Sequence, residues 1–179
     1  MIDWFKPTWM VNTIYNVSPK RLQQQGITAI FSDLDNTLIA WNDPNATRQL
    51  KRWAEFLRKH QIKLVVVSNN THRRVSKALK GLNLPFVSWS MKPSAFGIKR
   101  ALRRYHLKRN QIVMVGDQLM TDVWAAHNAH VKSIWVKPLI KTDKWNTRIN
   151  RFFERRIYHV LKRKNRRTMI WRGDINDKK

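Results

Sequence analysis

The sequence of 179 residues has no cysteine, only 11 acidic residues and no apolar run long enough to span a bilayer. Without cysteine, disulfide scaffolds, cysteine-ligated zinc and thiol nucleophiles are all excluded. The amino end, MIDWFKPTWM, lacks the basic segment and the apolar stretch of a signal peptide. Since 42% of the residues are hydrophobic, we expect a soluble intracellular protein with one folded domain and short extensions.

The scarcity of acidic residues leaves a large and unevenly distributed positive charge. Lys and Arg number 36, and the formal net charge is +25 at pH 7. Residues 1–50 are balanced, residues 51–110 carry 16 basic side chains against Glu55 alone, and residues 148–179 carry 12 against three acids. Such an excess attracts polyanions or anionic membranes, although solvated helix faces would also explain it.

Short apolar runs alternate with amphipathic segments from residue 27 onward. The runs predict strands at 27–32, 63–67, 86–89, 112–115 and 131–136, and the amphipathic segments predict helices at 47–60, 71–80, 94–106 and about 119–128. β-branched strands that alternate with helices are typical of a parallel sheet covered on both faces, so we predict an α/β fold. Ligand sites in such folds lie at the carboxyl ends of the strands.

Polar side chains follow four of the predicted strands. In chain order they are Asp33, Asp35, Thr37, Ser68, Asn69, Lys92, Asp117 and Asp122. A parallel sheet brings all of them to one edge, where close carboxylates require a proton or a cation, and Mg²⁺ prefers such oxygen ligands. One carboxylate there could attack a bound phosphate, a second could act as general acid and base, and a lysine could neutralise developing charge.

These motifs, in this order, resemble those of the haloacid dehalogenase (HAD) superfamily of phosphatases. The matching residues are Asp33-Leu34-Asp35-Asn36-Thr37-Leu38 for the first motif, Ser68 for the second, Lys92 for the third, and Gly116-Asp117 with Asp122 for the fourth. The segment 16–26 and the basic carboxyl end are similar to the YqeG-like branch of HAD subclass IIIA. That branch is related to phosphatidylglycerophosphate phosphatases.

The resemblance implies a catalytic role for each motif. Asp33 would be the nucleophile and a Mg²⁺ ligand, and Asp35 would be the general acid and base, with its backbone carbonyl also on the metal. Lys92 would bridge the phosphoryl group and the nucleophile. Asp117 would hold the metal directly or through water, and Asp122 would support it. The second carboxylate of the first motif favours phosphoryl transfer over dehalogenation.

Substrate binding is implied for Thr37, Ser68, Asn69 and Lys92, with Thr37 also ordering its loop. The gaps at 38–63 and 70–92 are too short for a cap domain, because a stable domain needs on the order of 40 residues or more. We therefore expect a HAD-like Rossmannoid three-layer fold with no large cap and an open site.

Three segments are predicted: a helical extension at 1–26, a HAD-like phosphatase domain at 27–147, and a basic carboxyl-terminal helix and tail at 148–179. Apolar residues recur in the last segment at helical spacing, namely Ile149, Phe152, Phe153, Ile157, Val160 and Leu161. This stripe could pack on the domain, or the basic helix could lie on an anionic bilayer. The polybasic end would also suit RNA.

The resemblance implies a Mg²⁺-dependent phosphatase that hydrolyses a phosphate monoester through an aspartyl-phosphate, with phosphatidylglycerophosphate as the leading substrate. A phosphatase of small metabolites or nucleotides remains open, as does an RNA- or ribosome-binding protein with secondary phosphatase activity. We expect a cytoplasmic location, with peripheral contact at the inner membrane face also open. The sequence predicts no oligomeric state.

Overall fold

A computed structural model describes residues 2–140 and 145–177, with side chains from 151 onward in the second range. Six strands form one sheet in the order β1-β6-β5-β2-β3-β4. Their bounds are β1 (Trp9–Val11), β2 (Ala29–Ser32), β3 (Lys63–Val67), β4 (Phe86–Val87), β5 (Ile112–Gly116) and β6 (Lys132–Val136). Every pair of neighbouring strands is parallel, which confirms the predicted α/β fold.

The described helices connect these strands. They are α1 (Pro19–Gln24), α2 (Arg48–Lys59), α3 (His72–Ala78), α4 (Phe96–Arg104), α5 (Trp124–Ala129) and α6 (Trp145–Lys164). Thr47 and Thr71 begin α2 and α3 as N-caps, and their side chains accept hydrogen bonds from backbone N–H groups in the first turns. Instead of one helix over 119–128, a π-helical turn (Leu119–Val123) precedes α5.

The sheet lies between two apolar layers because its side chains alternate between the faces. Ile30 of β2 belongs to the cluster that includes Leu50 and Leu57 of α2. The next residue, Phe31, belongs to the cluster that includes Ile98 of α4 and several alanines of α5. This arrangement confirms the three-layer architecture. Between β2 and β3 the only helix is α2, and between β3 and β4 it is α3, so neither gap holds a cap.

The amino-terminal segment contributes an edge strand that the sequence analysis missed. β1 pairs with β6 in parallel, and Met10 and Val11 are fully buried. The carboxyl end extends this edge, because the Arg172 N–H donates to the Met10 carbonyl at 3.1 Å. The extension predicted as helical at 1–26 therefore also contains β1, which is too short for its alternation to be recognised. Within the described residues, no helix has an apolar stretch sufficient to cross a membrane.

Helix α6 packs on the domain, and its apolar stripe is divided. Leu161 is fully buried, and Ile157 packs against the same cluster, which also contains Met10 of β1. In contrast, Phe152, Phe153 and Val160 are 48–55% exposed. The helix turns the side that carries Glu154 and Leu161 toward the domain, so only part of the apolar stripe packs there. Ile149 lies outside the residues whose side chains are described.

Candidate active site

Three carboxylates meet at the carboxyl edge of the sheet. Asp33 directly follows β2, Asp117 directly follows the neighbouring strand β5, and Asp122 lies in the π-helical turn. One carboxylate oxygen from each residue lies within 4.8 Å of those of the other two. We call these three residues the acidic cluster. The predicted convergence of the first and fourth motifs is thus present in the structure.

Lys92 joins the acidic cluster from the loop after β4. Its Nζ lies 2.6 Å from Asp33 Oδ1 and 2.7 Å from Asp122 Oδ1, and its side chain is only 2% exposed. Asn69 fixes the backbone of this lysine, since its Oδ1 accepts from the Lys92 N–H at 2.8 Å and its Nδ2 donates to the Lys92 carbonyl at 2.9 Å. Ser90 also donates to Asn69 Oδ1, at 2.7 Å. Asn69 thereby positions Lys92, a function that the sequence did not suggest.

The π-helical turn brings Asp122 to the cluster. Both Asp122 and Val123 donate their backbone N–H groups to the Gln118 carbonyl, which widens the helix locally. Gly116 leaves the necessary space, because a Cβ at that position would lie 2.2 Å from Asp122 Oδ2. The Gln118 N–H then donates to the same oxygen at 3.1 Å. Asp122 was expected to support the metal site, and it contacts Lys92 directly.

Asp35 points to a different set of partners. Its Oδ1 lies 2.9 Å from Arg74 Nη2, and its Oδ2 accepts from Asn70 Nδ2 at 3.0 Å. The same Arg74 nitrogen donates to the Asp43 carbonyl at 2.8 Å, so one side chain links α3 to the loop after the first motif. Helical spacing alone predicts Arg74 to be one of several basic residues on a solvated helix face. The feature of the sequence that could have singled it out is its position three residues after Thr71, the residue that caps α3.

Thr37 and Ser68 are buried beside these groups. Thr37 Oγ1 donates to Asp117 Oδ1 at 3.2 Å, so this hydroxyl supports a carboxylate of the acidic cluster. Ser68 Oγ accepts from the backbone N–H and the Nδ2 of Asn70, both at 3.2 Å. The substrate-binding roles of Thr37, Ser68 and Asn69 stay predictions.

Helix α6 reaches the site through Arg151 and Glu154, which the sequence analysis did not identify. Arg151 Nη2 pairs with Asp117 Oδ2, and Arg151 Nη1 donates to the Asp117 carbonyl at 2.7 Å. Glu154 Oε2 lies 3.2 Å from Arg151 Nη1, and Glu154 Oε1 accepts from the Met120 N–H at 3.0 Å. Trp135 Nε1 also donates to the Asp117 carbonyl, at 2.9 Å. A single glutamate in a strongly basic helix is the signal that could have revealed this contact.

Burial and mutual repulsion shift the acid–base properties of the site. Burial raises the pKa of Asp33 to about 6, although Lys92 opposes the shift. Burial likewise raises the pKa of Asp117 to about 8 against the influence of Arg151, and the pKa of Glu154 to about 7. Burial disfavours the charge of Lys92, but the two carboxylates it contacts outweigh this effect and raise its pKa.

The charge balance of the site fits a divalent cation. When ionised, the acidic cluster and Glu154 supply four negative charges, and among the described residues the cations paired with them are Lys92 and Arg151. Two negative charges would therefore lack compensation, and repulsion from the neighbouring carboxylates adds to burial in raising the pKa values of Asp33 and Asp117. Carboxylate oxygens at this separation are suitable ligands for a hard divalent ion.

Comparisons with known proteins place this site in a family. Residues 90–161 match the family model described as HAD-hydrolase-like. The probable phosphatase YqeG of Bacillus subtilis is 40% identical over 161 residues, which cover 90% of this chain and 94% of that protein. The chain belongs to the YqeG-like HAD phosphatases. The predicted resemblance and the prediction of a phosphatase are confirmed.

Solved structures confirm the HAD-like fold. An uncharacterised protein from Listeria monocytogenes serotype 4b superimposes with a TM-score of 0.53 at 15% identity, over 66% of this chain and 84% of that chain. The cobalt-bound deoxy-D-mannose-octulosonate 8-phosphate phosphatase of Haemophilus influenzae gives 0.51 at 13% identity, over 63% and 69%. At these identities the similarity concerns the fold of this YqeG-like chain.

Proposed function

We propose that this YqeG-like phosphatase is Mg²⁺-dependent and acts through an aspartyl-phosphate formed on Asp33, with phosphatidylglycerophosphate as its substrate. The observation that carries the proposal is the contact of the Lys92 ammonium, at 2.6 Å, with the carboxylate assigned as nucleophile. This pair lies at the acidic cluster, which together with Glu154 would carry two uncompensated negative charges when all four groups are ionised. A buried lysine beside a carboxylate with a cation-binding neighbour suits an anionic phosphoryl group.

Asp33, Asp117 and the backbone carbonyl of Asp35 would hold the Mg²⁺. When bound, the ion would neutralise the cluster and draw electron density from the phosphoryl oxygens. Thr37 and Arg151 keep the Asp117 carboxylate in place from its two oxygens. Asp122 keeps the ammonium of Lys92 close to the nucleophile.

The chain's own groups supply the covalent chemistry. An Asp33 oxygen would attack phosphorus while the bond between phosphorus and the alcohol oxygen breaks, and Asp35 would give that oxygen its proton. In the second step Asp35 would take a proton from water, the water oxygen would attack phosphorus, and the Asp33 carboxylate would be released with inorganic phosphate. Arg74 and Asn70 hold the Asp35 carboxyl group for both proton transfers.

The lipid substrate is supported by the family resemblance and by the accessibility of the site. Neither gap between the strands carries a cap, so a phosphate that protrudes from a large assembly could reach Asp33. The positive charge of the protein would favour anionic substrates of any size. A phosphatase of soluble phosphate esters is the principal alternative, and the same chemistry would serve it.

The test is phosphate release from phosphatidylglycerophosphate in mixed micelles with Mg²⁺, beside an aryl phosphate in the same buffer. We expect turnover of the lipid to exceed turnover of the aryl ester, and Asp33→Asn to abolish both. Asp43→Asn is the matched control, since its carboxylate lies in the same loop and accepts from the Asn45 N–H. Turnover of the aryl ester alone would reject the lipid and retain the phosphatase. Hydrolysis in excess chelator would reject the metal.

A further inference from the structure

Three exposed apolar side chains lie close to Lys92 in the chain, two on its loop and one at the start of α4. Trp89, Met91 and Phe96 are 59%, 64% and 46% exposed. We call them the apolar rim. Large exposed apolar side chains that form a patch on a protein surface are typical of contacts with another phase or molecule. The sequence did not reveal these exposed side chains, because Trp89 was predicted to end a strand and no pattern distinguishes Met91 or Phe96.

The fold forces these side chains outward. Ser90 and Lys92 are buried and point to the site, so the alternate residues Trp89 and Met91 face solvent. Backbone hydrogen bonds fix this alternation, since the Trp89 N–H donates to the Asn70 carbonyl and the Ser90 N–H donates to the Ser68 carbonyl, both at 3.0 Å. The rim is thus held rigidly against the second and third motifs.

The backbone at two rim positions is unfavourable for the residues found there. Trp89 has φ +50° and Met91 has φ +56°, in the left-handed region that glycine and asparagine adopt most easily. Large apolar residues therefore occupy positions where both the backbone and the solvent exposure favour small polar ones. Strain of this kind is typical of functional sites. The stability of the loop does not require large apolar side chains at these positions.

The helix that begins at Phe96 carries exposed positive charge. Over the two turns that follow Phe96, helix α4 has four exposed basic side chains, namely Lys99, Arg100, Arg103 and Arg104. Between Glu55 and Asp117 the sequence has no acidic residue at all. Aromatic side chains next to lysine and arginine are typical of protein surfaces that bind an anionic bilayer. The rings enter the headgroup region, and the basic groups contact lipid phosphates.

We infer that the apolar rim docks the protein on an anionic phospholipid surface, with the Lys92 loop facing the bilayer. This inference rests on the proposed function, since docking there would present lipid headgroups to the acidic cluster. It differs from the expectation that the basic carboxyl-terminal helix makes the membrane contact. In α6 the exposed Phe152 already has the guanidinium of Arg156 over its ring, at 5.1 Å from the ring centroid.

The first test uses the absence of cysteine, which makes Met91→Cys a single site for an environment-sensitive fluorophore. Vesicles of equal parts phosphatidylglycerol and phosphatidylcholine should shift the emission of this label to the blue, and pure phosphatidylcholine vesicles should not. The matched control is Phe56→Cys, because Phe56 is 44% exposed on α2, away from the motif loops. Equal shifts at both labels, or none at Met91→Cys, would overturn the inference.

The second test measures vesicle co-sedimentation of the double variant Trp89→Asn/Met91→Asn. Asparagine suits the left-handed backbone, so the loop should keep its conformation. We expect the lipid concentration for half-binding to rise on the order of tenfold or more, from the loss of two apolar side chains at the interface. The double variant Phe152→Asn/Phe153→Asn should bind as the unchanged protein does. Loss of binding in this second variant alone would assign docking to α6 and overturn the inference.

Two further measurements separate this inference from the proposed function and from other partners. The Trp89→Asn/Met91→Asn variant and the unchanged protein should hydrolyse a soluble aryl phosphate at the same rate. If the proposed function is wrong, both proteins will be inactive, whether or not they bind vesicles. Light scattering should show the same mass for both proteins without lipid. A dimer that the rim variant loses would instead assign the rim to a second copy of the chain.

Discussion

The contact between Arg151 and Asp117 predicts an unusual response to Mg²⁺. The Asp117 side chain is fully buried, and the Arg151 side chain is 16% exposed. Arg151→Met keeps the aliphatic stem and removes the guanidinium, so at a pH above the Asp117 pKa of about 8 the ionised carboxylate would stay buried without its cation. Removal of one partner of a buried pair costs about 3–5 kcal/mol, and the partial exposure of Arg151 places the cost near about 3 kcal/mol.

The expected shift in melting temperature follows from this free energy. In a protein of this size, about 1 kcal/mol corresponds to about 2–4 °C, so the metal-free variant should melt about 6–12 °C below the unchanged protein. Saturating Mg²⁺ would supply positive charge to the same carboxylate. The variant would then lack only the hydrogen bonds that Arg151 donates to the Asp117 carbonyl and to Glu154, and the loss of both would cost about 1 kcal/mol. The deficit should shrink to about 2–4 °C.

The same difference can be expressed as an affinity. Saturating Mg²⁺ should stabilise the Arg151→Met variant by about 2 kcal/mol more than it stabilises the unchanged protein. This difference corresponds to about thirtyfold tighter binding of the ion by the variant. Thermal unfolding followed by circular dichroism, with chelator and with Mg²⁺, measures both deficits. Arg155→Met is the control, since Arg155 is an exposed cation on the same helix and its loss should change stability by less than about 0.5 kcal/mol in either condition. Equal deficits with and without Mg²⁺ would refute the competition between Arg151 and the ion.

Three other outcomes follow from the site. In the metal-free protein the raised pKa values of Asp33 and Asp117, about 6 and about 8, mean that stability should fall as pH rises from 5 to 8, and saturating Mg²⁺ should flatten this slope in thermal melts. Arg74→Met should lower kcat for an alkyl phosphate by about tenfold or more but hardly for nitrophenyl phosphate, because Asp35 must protonate only the poorer leaving group; equal losses would contradict the assignment. Added salt should lower kcat/KM for anionic substrates and leave kcat unchanged, and a salt-independent kcat/KM would argue against electrostatic attraction.

The core of the site could be predicted because each residue lies close to a strand end. Asp33, Ser68 and Asp117 each follow a buried strand by one residue, and parallel strands place such positions together. The helix caps Thr47 and Thr71 are equally local signals. These predictions required only the order of the strands and helices and the identity of the residue that follows each strand. Both can be read from the sequence.

Features that depend on how distant elements pack could not be predicted in this way. Arg151 contacts Asp117 across 34 positions of the chain, and this contact exists only because α6 docks beside β6. The exposure of Phe152 and Phe153 has the same origin, since amphipathic spacing does not say which side of a wide apolar stripe a neighbour will cover. β1 was missed because its three residues are recognisable only through their pairing with β6.

The scarcity of acidic residues acquires a physical meaning once their positions are known. Five of the 11 lie at the site, namely Asp33, Asp35, Asp117, Asp122 and Glu154. The charged groups outside the site are consequently mostly basic, while nearly half of the acidic residues lie among the buried or partly buried groups of the site, where salt screens their charge little. A buried cluster can attract a divalent ion at short range even though the protein as a whole repels cations. The surface can at the same time attract an anionic substrate, so the two charge patterns serve the two components of one reaction.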